Sequence, residues 1–333
     1  MPLISVIMPV YNAEQFLDCS VGSVLSQTFD DWELICFNDA STDNSISILD
    51  RYASTDPRIH VIDSPVNVKQ GGGRNRGILA AKGKYVMFLD ADDRLASPRS
   101  LAVCAGAIRK EHADMVLFDY EQFRGDGSAP VAVSPLGQNA AGMRSDILRR
   151  HLTTHPGPIW SAVYRRSLIT DNGLLFPENV FYEDNAVALA IQLSALNPVK
   201  INEIVYGYRV DNTSVTRSRN NYRFFHRLGS AITLKRHLVR LGLYDRWHEE
   251  IDFLLLNQYY VHTVYGCIYR FDRLPVRRLH YVTGTVDRII PDSRDNPLYR
   301  SQSLKWKLKL ALHTRFPRLI HALSAIRHSI THR

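Results

Sequence analysis

The 333 residues are 45% hydrophobic and 22% charged, with a formal net charge of +8, which supports a large apolar core plus a second region of domain size and excludes global disorder. Four scattered cysteines, Cys19, Cys36, Cys104 and Cys267, form neither a metal-ligand spacing nor a disulfide framework, so reduced, structural thiols in a cytoplasmic protein are expected. The first residues read as a strand holding Pro9, not as a basic leader, and no run of about 18 apolar residues occurs, so neither secretion nor a spanning helix is expected.

Residues 4–8 are a predicted strand that stops at Pro9-Val10-Tyr11-Asn12-Ala13, after which Phe16, Leu17, Val21, Val24 and Leu25 recur at helical spacing to Gln27. Residues 32–37 form the second strand. The turn 38–44 is rich in capping side chains, and Ile46, Leu49 and Ala53 make the inner face of the helix behind it. Residues 58–62 read as a third strand, and Gln70-Gly71-Gly72-Gly73-Arg74-Asn75-Arg76-Gly77 opens a helix through Ala81. Residues 85–89 are a buried parallel strand that ends abruptly in Asp90, Asp92 and Asp93. This is the order of a doubly wound α/β layer, whose strand ends converge on one edge, where such sheets bind ligands. Three carboxylates in four positions repel one another unless a cation or a proton compensates them, and hard oxygens suit Mn²⁺ or Mg²⁺. Capping of the next helix by Asp92 and Asp93 is the bland alternative; it accounts for one aspartate, not three. Tyr11 as a turn aromatic, Asp39 as an N-cap and the glycines as a flexible loop are likewise open.

Taken together, residues 4–12, Asn38-Asp39-Ala40-Ser41-Thr42-Asp43, Gly73-Arg74-Asn75-Arg76-Gly77 and Asp90-Ala91-Asp92-Asp93 resemble, in order and spacing, the family 2 glycosyltransferases of GT-A fold that build bacterial surface polysaccharides. The resemblance is close over the first 100 or so residues and looser to about residue 210. At position 40 many relatives have glycine. The resemblance implies a Rossmann-like three-layer α/β/α domain and a donor site that includes Pro9 and Ala91. In it Tyr11 stacks on the base, Asp39 accepts from the imide N–H of uracil or thymine, Arg74 reaches the nucleotide, Asp90 sits near the ribose, and Asp92 holds a metal bridging two phosphates. Asp93 is left without a role.

Residues 124–142 turn to Gly, Ser, Pro and Ala and read as a mobile excursion near the acceptor site. Residues 159–169 resemble the family's stretch before its acid pair, with Ala162 where many relatives have lysine. Phe181-Tyr182-Glu183-Asp184-Asn185 then leads into an apolar helical run. Acids in a first helical turn can be explained by the macrodipole alone; the resemblance makes Asp184 the base that deprotonates the acceptor, with Glu183 as its partner or alternate. That chemistry inverts the anomeric configuration. Arg209, Arg217 and Arg219, in and around the polar run 210–221, are lid candidates, with a solvated linker as the alternative.

A catalytic domain over 1–220 is therefore expected, with a nucleotide-sugar half to about residue 100 and an acceptor half from about 101, followed by a mainly helical region 221–333. Residues 301–333 contain seven Lys or Arg and no Asp or Glu, and Leu304, Leu308 and Leu312, then Leu319, Leu323, Ile326 and Ile330, recur at helical spacing. Such a basic amphipathic segment can lie on an anionic membrane or pack on its own domain. The expected partners are a nucleoside-diphosphate sugar, UDP-linked, and a glycan or lipid-linked acceptor, with no nucleic acid. The expected location is the cytoplasm, with peripheral attachment to the inner face of the membrane. A catalytically silent scaffold that binds nucleotide sugar or membrane is the competing reading.

Overall fold

A computed structural model describes residues 1–137, 140–210 and 219–331, with side chains as far as 326. The chain divides into two compact units, Met1–Asn212 and Thr213–Arg333. In the first, β1 (Ile4–Val10), α1 (Leu17–Leu25), β2 (Trp32–Asp39), α2 (Ser45–Thr55), β3 (Ile59–Ser64), α3 (Lys69–Ala80) and β4 (Tyr85–Phe88) alternate along the chain. The four strands pair in parallel in the order β3-β2-β1-β4. Every residue of β1, β2 and β4 is buried, the pattern of strands covered on both faces. Because β1 lies between β2 and β4, the chain order reverses beside it, and such reversals open a crevice at the strand ends.

The unit continues through β5 (Arg94–Leu95), α4 (Ser100–Glu111), β6 (Met115–Phe123), β7 (Val131–Val133), α5 (Ser145–Thr154), β8 (Ala162–Arg165), α6 (Ser167–Thr170), α7 (Ala188–Ser194) and β9 (Pro198–Arg209). Here the sheet becomes mixed. β8 runs antiparallel between β4 and β6, β9 is parallel to β6, and β5 closes the edge antiparallel to β9. Part of the expected excursion at 124–142 is ordered: β7 pairs with β6 as a hairpin.

The glycine run differs from expectation. Helix α3 begins at Lys69, ahead of the glycines, because Asp39 Oδ1 accepts from Val68 N at 2.6 Å and ties the helix start to the end of β2. The glycines therefore lie inside α3, where they allow close approach rather than a flexible loop. A Cβ on Gly73 would stand 3.1 Å from both Phe37 and Pro9, and one on Gly77 would overlap the side chain of Ile7. Gly77→Ala gains about 1 kcal/mol of helix propensity, but Ile7 is wholly buried in the central strand and cannot yield, and overpacking costs about 1–3 kcal/mol. The variant is expected to unfold at lower urea than wild type; an equal or higher midpoint would refute this packing argument. Ala40, where the resembling family has glycine, has φ +58°, a left-handed conformation that explains glycine's advantage there.

The second unit is helical: α8 (His226–Arg240), α9 (His248–Leu254), a π-helical stretch Leu255–Val261 leading into α10 (His262–Tyr269), α11 (Val276–Ile289), α12 (Pro297–Arg300), α13 (Leu304–Arg315) and α14 (Pro317–Thr331). Its core includes Leu234, Leu238, Ile251, Val264 and Val282. Lys235 Nζ ties α8 to Asp252 (3.0 Å) and to the Ile289 carbonyl (2.6 Å). Among the described residues no helix is long and apolar enough to cross a membrane.

Candidate active site

The strand ends beside β1 carry the expected residues. The loops after β1 and β2 are laced together: Asn12 Oδ1 accepts from Thr42 N (2.8 Å), Asn12 N donates to Ser41 Oγ (3.0 Å), and Glu14 N donates to Asp43 Oδ2 (3.1 Å). This leaves the Tyr11 ring 54% exposed just past the end of β1, whereas Pro9 is buried. Asp39 is buried, one of its oxygens already capping α3.

After β4 the chain makes a tight turn, Asp93 N donating to the Asp90 carbonyl at 3.0 Å, with Ala91 buried inside it. The three aspartates have different surroundings. Asp93 is buried and fully engaged: Tyr206 donates its hydroxyl to Oδ2 at 2.6 Å and Arg209 N donates to Oδ1 at 2.8 Å. Burial first, then Asp90 and Asp92, push its pKa well above the carboxylate range. Asp93 therefore braces the turn, with Tyr206 also accepting from Asp90 N at 3.1 Å. Asp90 Oδ1 accepts from Gln70 Nε2 (2.7 Å) and Arg74 Nη2 (2.9 Å). Asp92 is exposed at the surface of the turn.

Arg74, expected at a helix start facing the nucleotide, is instead almost wholly buried in the second turn of α3. One end of its guanidinium holds Asp90 and the other donates to Glu183 Oε1 at 2.7 Å, while Nε has no hydrogen-bond partner. Burial works against its charge, but Asp90, Glu183 and Asp184 together hold the pKa above the ordinary range. The other motif residues clasp the same segment. Asn75 exchanges two hydrogen bonds with the backbone of Phe176, each 2.9 Å, and Arg76 pairs with Glu178. Gly71 leaves room for the segment, since a Cβ there would stand 2.5 Å from the Pro177 carbonyl and 2.8 Å from Glu183 Cγ. Tyr182, immediately before the acid pair, has φ +62°, a conformation that a bulky residue holds only where its surroundings enforce it. Gln70, Asn75 and Tyr206 were not assigned site roles from sequence, although Asn75 lies between the two motif arginines and Tyr206 opens the run ending in Arg209.

Asp184 is half-buried in a short 3₁₀ turn, Asp184–Ala186, its Oδ1 accepting from Asn185 N at 2.8 Å. One guanidinium thus faces three carboxylates, two of which, Glu183 and Asp184, are raised by burial. Burial pushes Glu183 up to about 7, against the pull of Arg74 and with the help of Asp184; burial also raises Asp184, opposed by Arg74. A carboxyl raised on folding confers stability below its unfolded value and loses it as pH climbs through the folded one. Between pH 4.5 and about 7 the urea midpoint of wild type should therefore fall relative to Glu183→Gln. Parallel curves would show that Glu183 titrates normally.

Of the lid candidates, Arg209 is anchored at the acidic turn: Nε donates to the Asp92 carbonyl at 2.8 Å, and the guanidinium lies over Phe123 (4.6 Å) and Phe16 (5.0 Å). Its cation therefore stands beside Asp92. Arg219 belongs to the second unit and pairs there with Asp272 at 2.8 Å. Arg217 lies outside the described residues.

The carboxylates of the turn form no ready-made metal cage. Among the described residues no three Asp, Glu, His or Cys side chains form a cage, and Asp93 is committed to Tyr206 and Arg209. Asp92 presents a hard-oxygen donor at the surface of the turn. That suits Mn²⁺ or Mg²⁺ drawing its other ligands from phosphates and water, as Mg²⁺ commonly does.

Comparison with known proteins places this arrangement. Residues 5–172 match the family model for glycosyl transferase family 2. The chain is 30% identical over 277 residues to YibD of Escherichia coli K12, an uncharacterized glycosyltransferase, covering 76% of this chain and 77% of that one. It is 29% identical to the poly(ribitol-phosphate) β-glucosyltransferase of Bacillus spizizenii, over 53% of this chain and 27% of that protein. Among solved structures, Staphylococcus aureus TarS 1–349 in complex with UDP-GlcNAc superposes with a TM-score of 0.61 at 19% identity, covering 91% of this chain and 93% of that one. The mannosyltransferase PcManGT of Pyrobaculum calidifontis, in complex with GDP-Man and Mn²⁺, superposes with a TM-score of 0.52 at 16% identity, over 98% of this chain and 87% of that one. With the motifs on β1, β2, α3 and β4 converging on one crevice of a GT-A sheet, the chain belongs to glycosyl transferase family 2 and is a glycosyltransferase.

Proposed function

We propose that the enzyme moves a sugar from a UDP-sugar to a hydroxyl of a glycan or lipid-linked acceptor, with inversion, in cytoplasmic steps of cell-surface polysaccharide synthesis. The observation that carries this reading is the link from strand end to acid pair. Arg74 joins Asp90, beside Asp92, to Glu183, beside Asp184, so donor and acceptor chemistry share one rigid frame. The nucleotide sugars bound by TarS and PcManGT support a nucleoside-diphosphate donor.

In this reading Tyr11 offers its exposed ring to the base, an arrangement in which a flat aromatic surface is worth most. The buried Asp39 carboxylate supplies an acceptor for the imide N–H while its other oxygen caps α3. Asp92 would hold Mn²⁺ or Mg²⁺, and the bound ion would neutralise charge on the departing diphosphate. Arg209, fixed over Phe16 and Phe123 beside Asp92, adds a preorganised positive charge on the same side. Asp184 takes the proton of the acceptor hydroxyl, whose oxygen attacks the anomeric carbon as the nucleoside diphosphate departs from the opposite face. Arg74 opposes the rise that burial gives Asp184, and Glu183, held by Arg74 at 2.7 Å, is its orienting partner or alternate base.

Calorimetric titration of UDP and UDP-sugars, with Mn²⁺, Mg²⁺ or EDTA, tests this directly. Donor binding is expected with either ion and should weaken by at least about tenfold in EDTA and in Asp92→Ala. Binding indifferent to both changes would remove the metal from the proposal, and no binding of any uridine nucleotide would remove the donor.

A further inference from the structure

Helix α13 has two apolar faces, and one of them is uncovered. At about 100° per residue, Trp306, Leu310 and His313 share one side. Leu310 and His313 are buried, His313 Nε2 lies 2.6 Å from the Tyr269 hydroxyl, and Trp306 meets Phe253 and Tyr299 at ring distances of 6.3 and 5.7 Å. Leu304, Leu308 and Leu312 project from the opposite side and are 71%, 54% and 48% exposed. Lys305 and Lys309 border that stripe on one edge and Lys307 on the other, with Lys305 exposed, the Lys309 ammonium over Tyr265 (4.7 Å) and Lys307 Nζ donating to the Arg300 carbonyl (2.6 Å). Beyond Phe316, itself exposed, the pattern resumes on α14 with Leu319, Leu323 and Ile326, each more than half exposed, and Arg318 beside them. Ile330, Arg327 and Arg333 of the same segment lie outside the described side chains.

Packing on the helical unit accounts for the first face and not for the second. Single exposed leucines are ordinary, but a regular succession of them is a docking surface. Its occupant is indicated by charge. Residues 301–333 contain seven Lys or Arg and no Asp or Glu, so two copies brought face to face would set basic border against basic border. A surface with an apolar interior and anionic headgroups satisfies both features at once.

We propose that the exposed faces of α13 and α14 dock on an anionic lipid bilayer, leucines among the acyl chains and lysines at the headgroups. This deepens the reading of the acceptor as lipid-linked and rests on it for its purpose, since docking would hold the enzyme where such acceptors are.

The test is co-sedimentation of the full chain with vesicles of phosphatidylglycerol and phosphatidylcholine, or of phosphatidylcholine alone, with calorimetric binding of UDP in Mn²⁺ measured on every variant. Binding is expected to the anionic vesicles only, to fall about tenfold or more at high salt, and to be lost in Leu308→Ser/Leu319→Ser/Leu323→Ser and in Lys305→Glu/Lys307→Glu/Lys309→Glu. All six side chains belong to the second unit, so UDP binding should be unchanged. Equal binding to phosphatidylcholine alone, or no vesicle binding with UDP binding intact, would overturn the docking proposal by itself. So would leucine variants that only convert a dimer to a monomer in light scattering, or a chain that prefers RNA to vesicles. Vesicle binding with no UDP binding would uphold docking and remove the donor reading instead.

Discussion

Asp184→Asn is expected to slow sugar transfer by about 10²–10⁴-fold, the usual contribution of a positioned general base, while donor affinity stays within about twofold of wild type. The substitution is close to isosteric, and it replaces a carboxyl whose charge is disfavoured by burial with a neutral amide. Thermal stability should therefore hold or rise, which separates a chemical loss from an unfolding one. In wild type the rate should climb with pH, and the rise should lie above the ordinary aspartate range because the folded environment raises Asp184. Steady-state transfer to a hydroxyl acceptor, with donor affinity measured by calorimetry, gives the answer. Unchanged turnover would eliminate Asp184 as the base, and a loss confined to donor affinity would move it into the donor site.

Arg74→Ala is expected to be the most destabilising of these substitutions, by about 3–5 kcal/mol, because it strands the buried Glu183 and the half-buried Asp90 without the cation that both face. Asp90 and Glu183 are both within hydrogen-bond reach of Arg74, whose side chain is 3% exposed. The comparison that matters is with surface pairs. Arg51–Asp18 is equally short at 2.7 Å but 60% and 69% exposed, and such pairs contribute about 0–1 kcal/mol. The deficit of Arg74→Ala should shrink as pH falls and the stranded acids take up protons. Arg74→Lys should recover only part of it, since an ammonium cannot span both carboxylates in the fork geometry of a guanidinium. Urea unfolding at pH 5 and 8 measures both effects; a loss below about 1 kcal/mol at pH 8 would mean that the cluster is not held by this cation.

The sequence by itself determined the layer of alternating strands and helices through residue 90, because buried parallel strands and capped amphipathic helices are written in short-range periodicity. It also put Tyr11, Asp39, Asp90 and Asp92 at or just past strand ends and the acid pair ahead of a helix, where the structure has them, since each stands beside an element whose periodicity is local. It did not determine what Gly73-Arg74-Asn75-Arg76-Gly77 does. Read as an opening of a helix toward a nucleotide, that motif is in the structure a buried clasp whose partners, Phe176, Glu178 and Glu183, lie about a hundred positions later, beyond the reach of any local pattern. Nor could it separate the three aspartates. Asp92 and Asp93 are neighbours with the same chemistry, and only the arrival of Tyr206 and Arg209 on β9 buries one and leaves the other exposed. Local periodicity fixes which elements form; the charge state and duty of a side chain are set by what the tertiary fold brings against it, because desolvation and ion pairing depend on distance in space rather than along the chain.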